Sequence, residues 1–205
     1  MSVRDLAELL SAFAAFATVI LAVMELSNRS KAKRAENAMK IYADYLFVKQ
    51  QLDYAVANVS VLTREANNLS PEGRKSFANT HFVQPSLSAT VQEVASEFVR
   101  NVDYNKAESK TNSRTVLDFS GSAINIILLV NTFYSMIMEE TNMPADQIKR
   151  NADIVVNTYS EMIDDIEETG VLLHQNLRKL KLHSKVYIIL LLILMAVFFA
   201  VCIFL

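Results

Sequence analysis

The sequence predicts an all-α fold in which two transmembrane helices, N- and C-terminal, flank a cytoplasmic helical bundle with two long antiparallel helices. Three observations carry that reading. Uncharged runs stand near both ends, Leu9–Met24 and Val186–Leu205. Between them, apolar residues recur at alternating steps of three and four, the period of a helix seam. Only three Gly and three Pro occur, so the chain is poor in the turn formers that a sheet requires. A chain 52% hydrophobic and 20% charged is too apolar for an ordinary soluble domain and too charged for one made of spans alone. It fits a soluble module of roughly 150 residues with one or two spans. The division is 6–26 for the first span, 27–185 for the bundle and 186–205 for the second span.

The final run, VYIILLLILMAVFFAVCIFL, has no charge, amide, proline or glycine over twenty residues. As a helix it reaches ~30 Å, the thickness of a bilayer's hydrocarbon core. An end helix apolar on every face has no place in a soluble bundle. The single cysteine, Cys202, lies inside it, which leaves no disulfide framework and no cysteine-based zinc site. It reads as a small apolar residue in lipid.

The N-terminal run is shorter, sixteen residues bracketed by Glu8 and Glu25. Leu6 and Leu26 lengthen it if the two glutamates reach to the headgroups. Its basic residues follow the apolar stretch, against the order of a secretory signal. Ser11, Ala15, Thr18 and Ala22 fall on one face, and small residues there let helices approach closely in lipid. Basic clusters then fix the topology. Arg29, Lys31, Lys33 and Arg34 follow the first span, and Arg178, Lys179, Lys181 and Lys185 precede the second. Both lie between the spans, which puts the central domain in the cytoplasm and both ends outside. Anchoring to anionic headgroups explains both clusters.

From Ala38, the series Ile41, Tyr45, Val48, Leu52, Ala55, Val59, Leu62, Ala66 keeps the helical period without a miss, so the first helix extends to about Asn68. Ser70-Pro71 reads as an N-cap with proline at the first helical position. Asn79–Pro85 is a loop. A third helix runs from about Ser86 to Glu108 with Leu87, Val91, Val94 and Phe98 on one face, and Thr111–Arg114 (TNSR) is a break. The uncharged stretch Phe119–Met138 carries Gly121, Asn125 and Asn131 between acidic flanks, which favours a buried central helix over a third span. Both asparagines are then hydrogen-bonded core or interface polars. Pro144 opens the last helix, whose seam is Ile148, Ala152, Val155, Tyr159, Met162, Ile166, Leu173, Leu180. Gly170 interrupts it as a bend.

Signals for catalysis are poor: no phosphate loop, no GxSxG, no HExxH. His81, His174 and His183 have no metal-ligand spacing, and Asp164, Asp165, Glu167 and Glu168 read as a solvated helix face. No cofactor or metal is implied. With net charge −2, no global field favours nucleic acid, and no sequence-specific binding to it is expected. Arg178-Lys-Leu-Lys-Leu-His183 is an Arg-x4-His that resembles the motif of HEPN ribonucleases. In those helical bundles a paired Arg and His cleave phosphodiesters across a dimer. The usual polar residue after the Arg is missing here.

The whole layout resembles the small two-transmembrane effectors of bacterial anti-phage systems, of the retron or abortive-infection type. A small-residue span (SAFAAFATVILAVMEL) runs into a basic, heptad-patterned helix (RSKAKRAENAMKIYADYL), followed by a helical domain and a second span. The resemblance is architectural. It implies a non-enzymatic effector at the bacterial inner membrane that self-associates. It also implies restraint by a soluble regulatory complex, a reverse transcriptase with its non-coding RNA or another sensor. A membrane-anchored sensory or scaffolding bundle is the alternative, and a tethered HEPN-like ribonuclease resting on Arg178 and His183 the second.

Overall fold

A computed structural model describes the backbone over residues 3–100, 107–140 and 142–204, and side chains at 22, 25–27, 29–100, 110–140 and 142–180. Helices α1 (Val3–Glu65), α2 (Pro71–Thr80), α3 (Pro85–Arg100), α4 (Ala107–Glu139) and α5 (Ala145–Phe204) make up the regular structure, and no strand occurs among the described residues. The fold is all-helical. The chain divides into two compact units, Met39–Gln175 and the two end segments Met1–Ala38 with Asn176–Leu205.

Met39–Gln175 is the bundle. Every member of the α1 seam from Ile41 to Ala66 is buried, with Val48, Leu52, Val59 and Leu62 fully so. On α3, Leu87, Val91, Val94 and Phe98 are buried, as the spacing predicts. Contacts along the helices give their directions. Lys40 on α1 meets Glu93 on α3 at 2.7 Å, while Tyr54 lies beside Thr80–Leu87 at the opposite end of α3. Tyr42 packs on His174, Tyr45 donates to the Ile166 carbonyl at 2.7 Å, and Tyr159 donates to Asp53. So α1 runs antiparallel to α3 and to α5. Thr169 reaches Thr115 at 3.2 Å and Ser122 reaches Asp165 at 3.1 Å, which sets α4 antiparallel to α5 as well. The order is up-down-up-down, the economical topology for short loops.

Local chemistry starts and stops the elements. Ser70 Oγ accepts from the Gly73 amide at 3.1 Å, and Pro71, with no N–H to lose, opens α2. The Arg74 guanidinium donates to the Met143 carbonyl at 2.9 Å and ties α2 to the turn before α5. Pro144 accepts the first bonds of α5 from Gln147 and Ile148.

α4 supplies most of the core. Phe119, Ala123, Ile126, Ile127, Val130 and Phe133 are at most 2% exposed. By length and composition, Lys110–Glu139 is also the one helix among the described residues suited to crossing a membrane. Its inward side is bundle core. The two expected spans, 6–26 and 186–205, lie on helical backbone and almost wholly outside the described side chains.

Several expectations need correction. The first helix ends at Glu65, and Ala66–Asn68 form a turn. α3 is described over Pro85–Arg100 and Glu108 lies on α4, while 101–106, part of the expected third helix, lie outside the described residues. The TNSR stretch is helical, because Ser and Thr can satisfy themselves inside a helix: Thr115 Oγ1 bonds back to the Thr111 carbonyl at 3.4 Å. Asn131 is the paired interior polar expected, donating to the Val83 carbonyl and accepting from the Val83 amide. Asn125 is exposed, and its amide donates to Met162 Sδ of α5 at 3.8 Å, so it is a polar of the α4–α5 interface and not of the core.

Candidate functional site

The α1–α5 seam is where the two long helices are held against each other; Tyr45 and Tyr159 supply polar contacts across it and Tyr42 a ring contact. Tyr45 sits in the apolar seam, 2% exposed, and spends its hydroxyl on the Ile166 carbonyl across the interface. That carbonyl is accessible because residue 170 is glycine: a Cβ there would lie 2.5 Å from the tyrosine oxygen. Gly170 is a socket for Tyr45. Burial pushes the Tyr45 phenol up to about 12, with the Glu167 carboxylate adding to it. Tyr45 also faces Phe119 at 5.4 Å and stacks with Tyr42 at 6.2 Å, and Tyr42 packs on His174 at 5.5 Å. Two turns along, Tyr159 donates to Asp53, whose other oxygen takes Lys49 at 3.1 Å. Burial, then the Asp53 contact, raises the Tyr159 phenol above the ordinary tyrosine value. The clamp fixes the register and rotation of α1 against α5.

A second feature is a cavity of about 290 Å³ between α1 and the 81–84 loop. Phe47, Tyr54, His81 and Phe82 wall it, Gln51 and Gln84 offer amides, and no lining residue carries a carboxylate, ammonium or guanidinium. The His81 ring stacks on Phe77 at 4.0 Å and its Nδ1 lies 2.8 Å from the Phe77 carbonyl. A carbonyl only accepts, so Nδ1 carries the proton. Behind Phe82 lies Tyr134, fully buried, whose hydroxyl has no hydrogen-bond partner among the described residues.

No protein-family model, no curated protein and no solved structure matches this chain. The reading of its function therefore rests on the residues themselves.

The sequence-predicted residues fare unevenly. Ser11, Ala15 and Thr18 lie outside the described side chains, and Ala22 is exposed. Arg29 pairs with Glu25 at 2.7 Å, a solvent-facing bond one turn apart, and Lys33 and Arg34 are exposed. Lys31 is half-buried. Arg178 and Lys179 are exposed, while Lys181, His183 and Lys185 lie outside the described side chains. The Arg178–His183 geometry is thus not among the described contacts. The acidic residues Asp164, Asp165, Glu167 and Glu168 all face solvent, with Asp165 accepting from Ser122. Sequence reasoning missed the tyrosine clamp. Its signal was present: one glycine breaks a long seam, and tyrosines stand at seam positions where Leu or Ile would suffice.

Proposed function

We propose that the chain is a membrane-anchored helical effector that perturbs the bacterial inner membrane when activated, in anti-phage defence of the abortive-infection kind. One observation supports this above the others. Because α1 and α5 are antiparallel and Tyr42 meets His174, residues 39 and 175 lie at the same end of the bundle. Both uncharged runs join the bundle from that end, as a domain seated on one face of one membrane requires. The basic clusters at 29–34 and 178–185 occupy the same sequence positions relative to the runs and suit an anionic leaflet. The bundle is then the regulated part, self-associating or held by a soluble complex, and the runs act on lipid. In this reading the tyrosine clamp transmits the state of the bundle by fixing how α1 and α5 leave it.

The test is induction in bacteria of the full chain beside a version truncated after Lys185, with growth, membrane fractionation and membrane potential followed together. Depolarisation and arrest that require residues 186–205 are the expected result. A full chain recovered in the soluble fraction refutes the proposal, and a membrane-bound chain that leaves the potential intact with or without phage challenge refutes the effector role. Arg178→Ala with His183→Ala is expected to leave toxicity intact. Loss of toxicity in that variant, with insertion unchanged, would favour the ribonuclease reading instead.

A further inference from the structure

Two aromatic rings of α1 stand half in water, where folding alone gains little from them. Phe47 and Tyr54 are 49% and 59% exposed, so their burial does little to hold the helices together. Both are walls of the cavity of about 290 Å³ against the 81–84 loop, and His81 and Phe82 close it from the loop side. That loop is pinned from the core. The Asn131 side chain of α4 accepts from the Val83 amide at 2.9 Å and donates to the Val83 carbonyl at 3.1 Å, so both polar groups of that residue are fixed. His81 is fixed as well. Its ring stacks on Phe77 and its Nδ1–H is spent on the Phe77 carbonyl, which leaves Nε2 a hydrogen-bond acceptor. The cavity is therefore shaped before anything enters it, which removes much of the ordering cost of binding.

We propose that this cavity binds a small uncharged aromatic molecule of one ring or two fused rings, laid against Phe47, Tyr54 and Phe82 with an N–H donated to His81. Size sets the first limit. A volume of about 290 Å³ stands at the lower edge of the ~300–1,000 Å³ of small-molecule pockets, which admits a ring system and little more. Charge sets the second. No lining residue is charged, so a carboxylate, phosphate or ammonium would lose water here with no opposite charge to replace it. Polar chemistry sets the third. His81 supplies an acceptor, and the amides of Gln51 and Gln84 supply both donors and acceptors for ring nitrogens or an exocyclic group. A purely apolar ring would leave these groups without partners. The groove of α4 and α5 around Asp118, Asn125 and Asp165 has no wall of rings, and carboxylates line it. The proposed site does not depend on the membrane reading, since every wall lies within Met39–Gln175.

The experiment titrates the full-length chain in mild detergent by calorimetry with benzimidazole, benzamide and benzoate, each against detergent alone, at a mildly alkaline pH where benzimidazole is uncharged. Benzamide and benzoate share a shape and differ in charge. Benzimidazole and benzamide are expected to bind, and benzoate about tenfold more weakly or not at all. Tyr54→Ala should weaken both neutral probes about tenfold with thermal unfolding unchanged, because the lost ring is exposed. Gln51→Lys sets an ammonium in the lining and should reverse the preference, with benzoate bound over benzamide. No binding by either neutral probe overturns the inference, as does benzoate bound as tightly as benzamide by the native chain. Unchanged affinity in a folded Tyr54→Ala chain, or the native preference retained in Gln51→Lys, places the probes elsewhere and overturns it too.

Discussion

α1 and α5 do the same work inside the bundle and present different surfaces outside it. Inward, both bury a three-four seam, Ile41 to Ala66 on one and Ile148 to Leu173 on the other, and the tyrosine clamp joins them. Outward, α5 shows Arg150, Asp153, Glu161, Asp164 and Glu168 with Ile154 and Val171 among them, whereas α1 sets the exposed Met39, Leu46, Phe47 and Tyr54 between Lys40 and Asp53. Folding constrains only the inward residues, because they alone lose water on packing. An outward face is free of that demand. Both mix charge with apolar surface, α5 carrying more of the first and α1 more of the second.

The contrast is broken most strongly from the inside. Leu52→Ala on the fully buried seam is expected to cost ~2–5 kcal/mol in denaturant unfolding. Gln50→Ala, two residues away and exposed, should leave the unfolding midpoint where it is. If both behaved alike, the assignment of inward and outward faces would be wrong.

Next in size is the glycine socket. Gly170→Ala sets a methyl 2.5 Å from the Tyr45 oxygen and is expected to cost ~1–3 kcal/mol. In a Tyr45→Ala background the same change should cost much less, and a double-mutant cycle reads the difference. Additive effects would mean that the two residues do not share the contact.

Removing only hydroxyls sharpens the picture. Tyr45→Phe loses one buried hydrogen bond, ~1 kcal/mol. The Tyr45 phenol is held protonated in the fold, up to about 12 against 10.0 for an ordinary tyrosine. Its contribution is therefore fully present below pH 10 and is lost as pH rises through about 12, since the unfolded chain releases the proton first. Stability of the native bundle should fall across that window, and less steeply in Tyr45→Phe. Tyr134→Phe carries the opposite sign: its hydroxyl is buried without a partner, so its removal should leave stability unchanged or slightly higher. Smallest of all is Lys40→Gln. Glu93 holds the Lys40 ammonium charged at the surface, where salt screens the pair, and the melting curve should not move.

How much of this was legible in the sequence follows the same division. The seam of α1 could be read residue by residue, because burial imposes a period that the chain cannot hide. Ser70-Pro71 and Pro144 were legible because capping and proline act locally. TNSR was misread as a break, since four helix-tolerant polar residues carry no stop signal without Gly or Pro. Asn125 was read as a core or interface polar and stands at the exposed α4–α5 edge: in an uncharged stretch nothing marks which of the two an asparagine takes. Gly170 was noticed without its role as a socket, because a socket needs its tyrosine from a helix more than a hundred residues away, and no local pattern carries that.

The most direct test compares the inward and outward faces of α1 at one level of the bundle. Val59 is fully buried in the seam, and Ala57, two residues before it, is exposed. In a chain with Cys202→Ser, a single cysteine is introduced as Ala57→Cys or as Val59→Cys, and the native protein is treated with a thiol reagent. Rapid labelling of Ala57→Cys, and labelling of Val59→Cys only on unfolding, is the predicted result. Equal labelling of the two in the native protein would contradict the assignment of the seam.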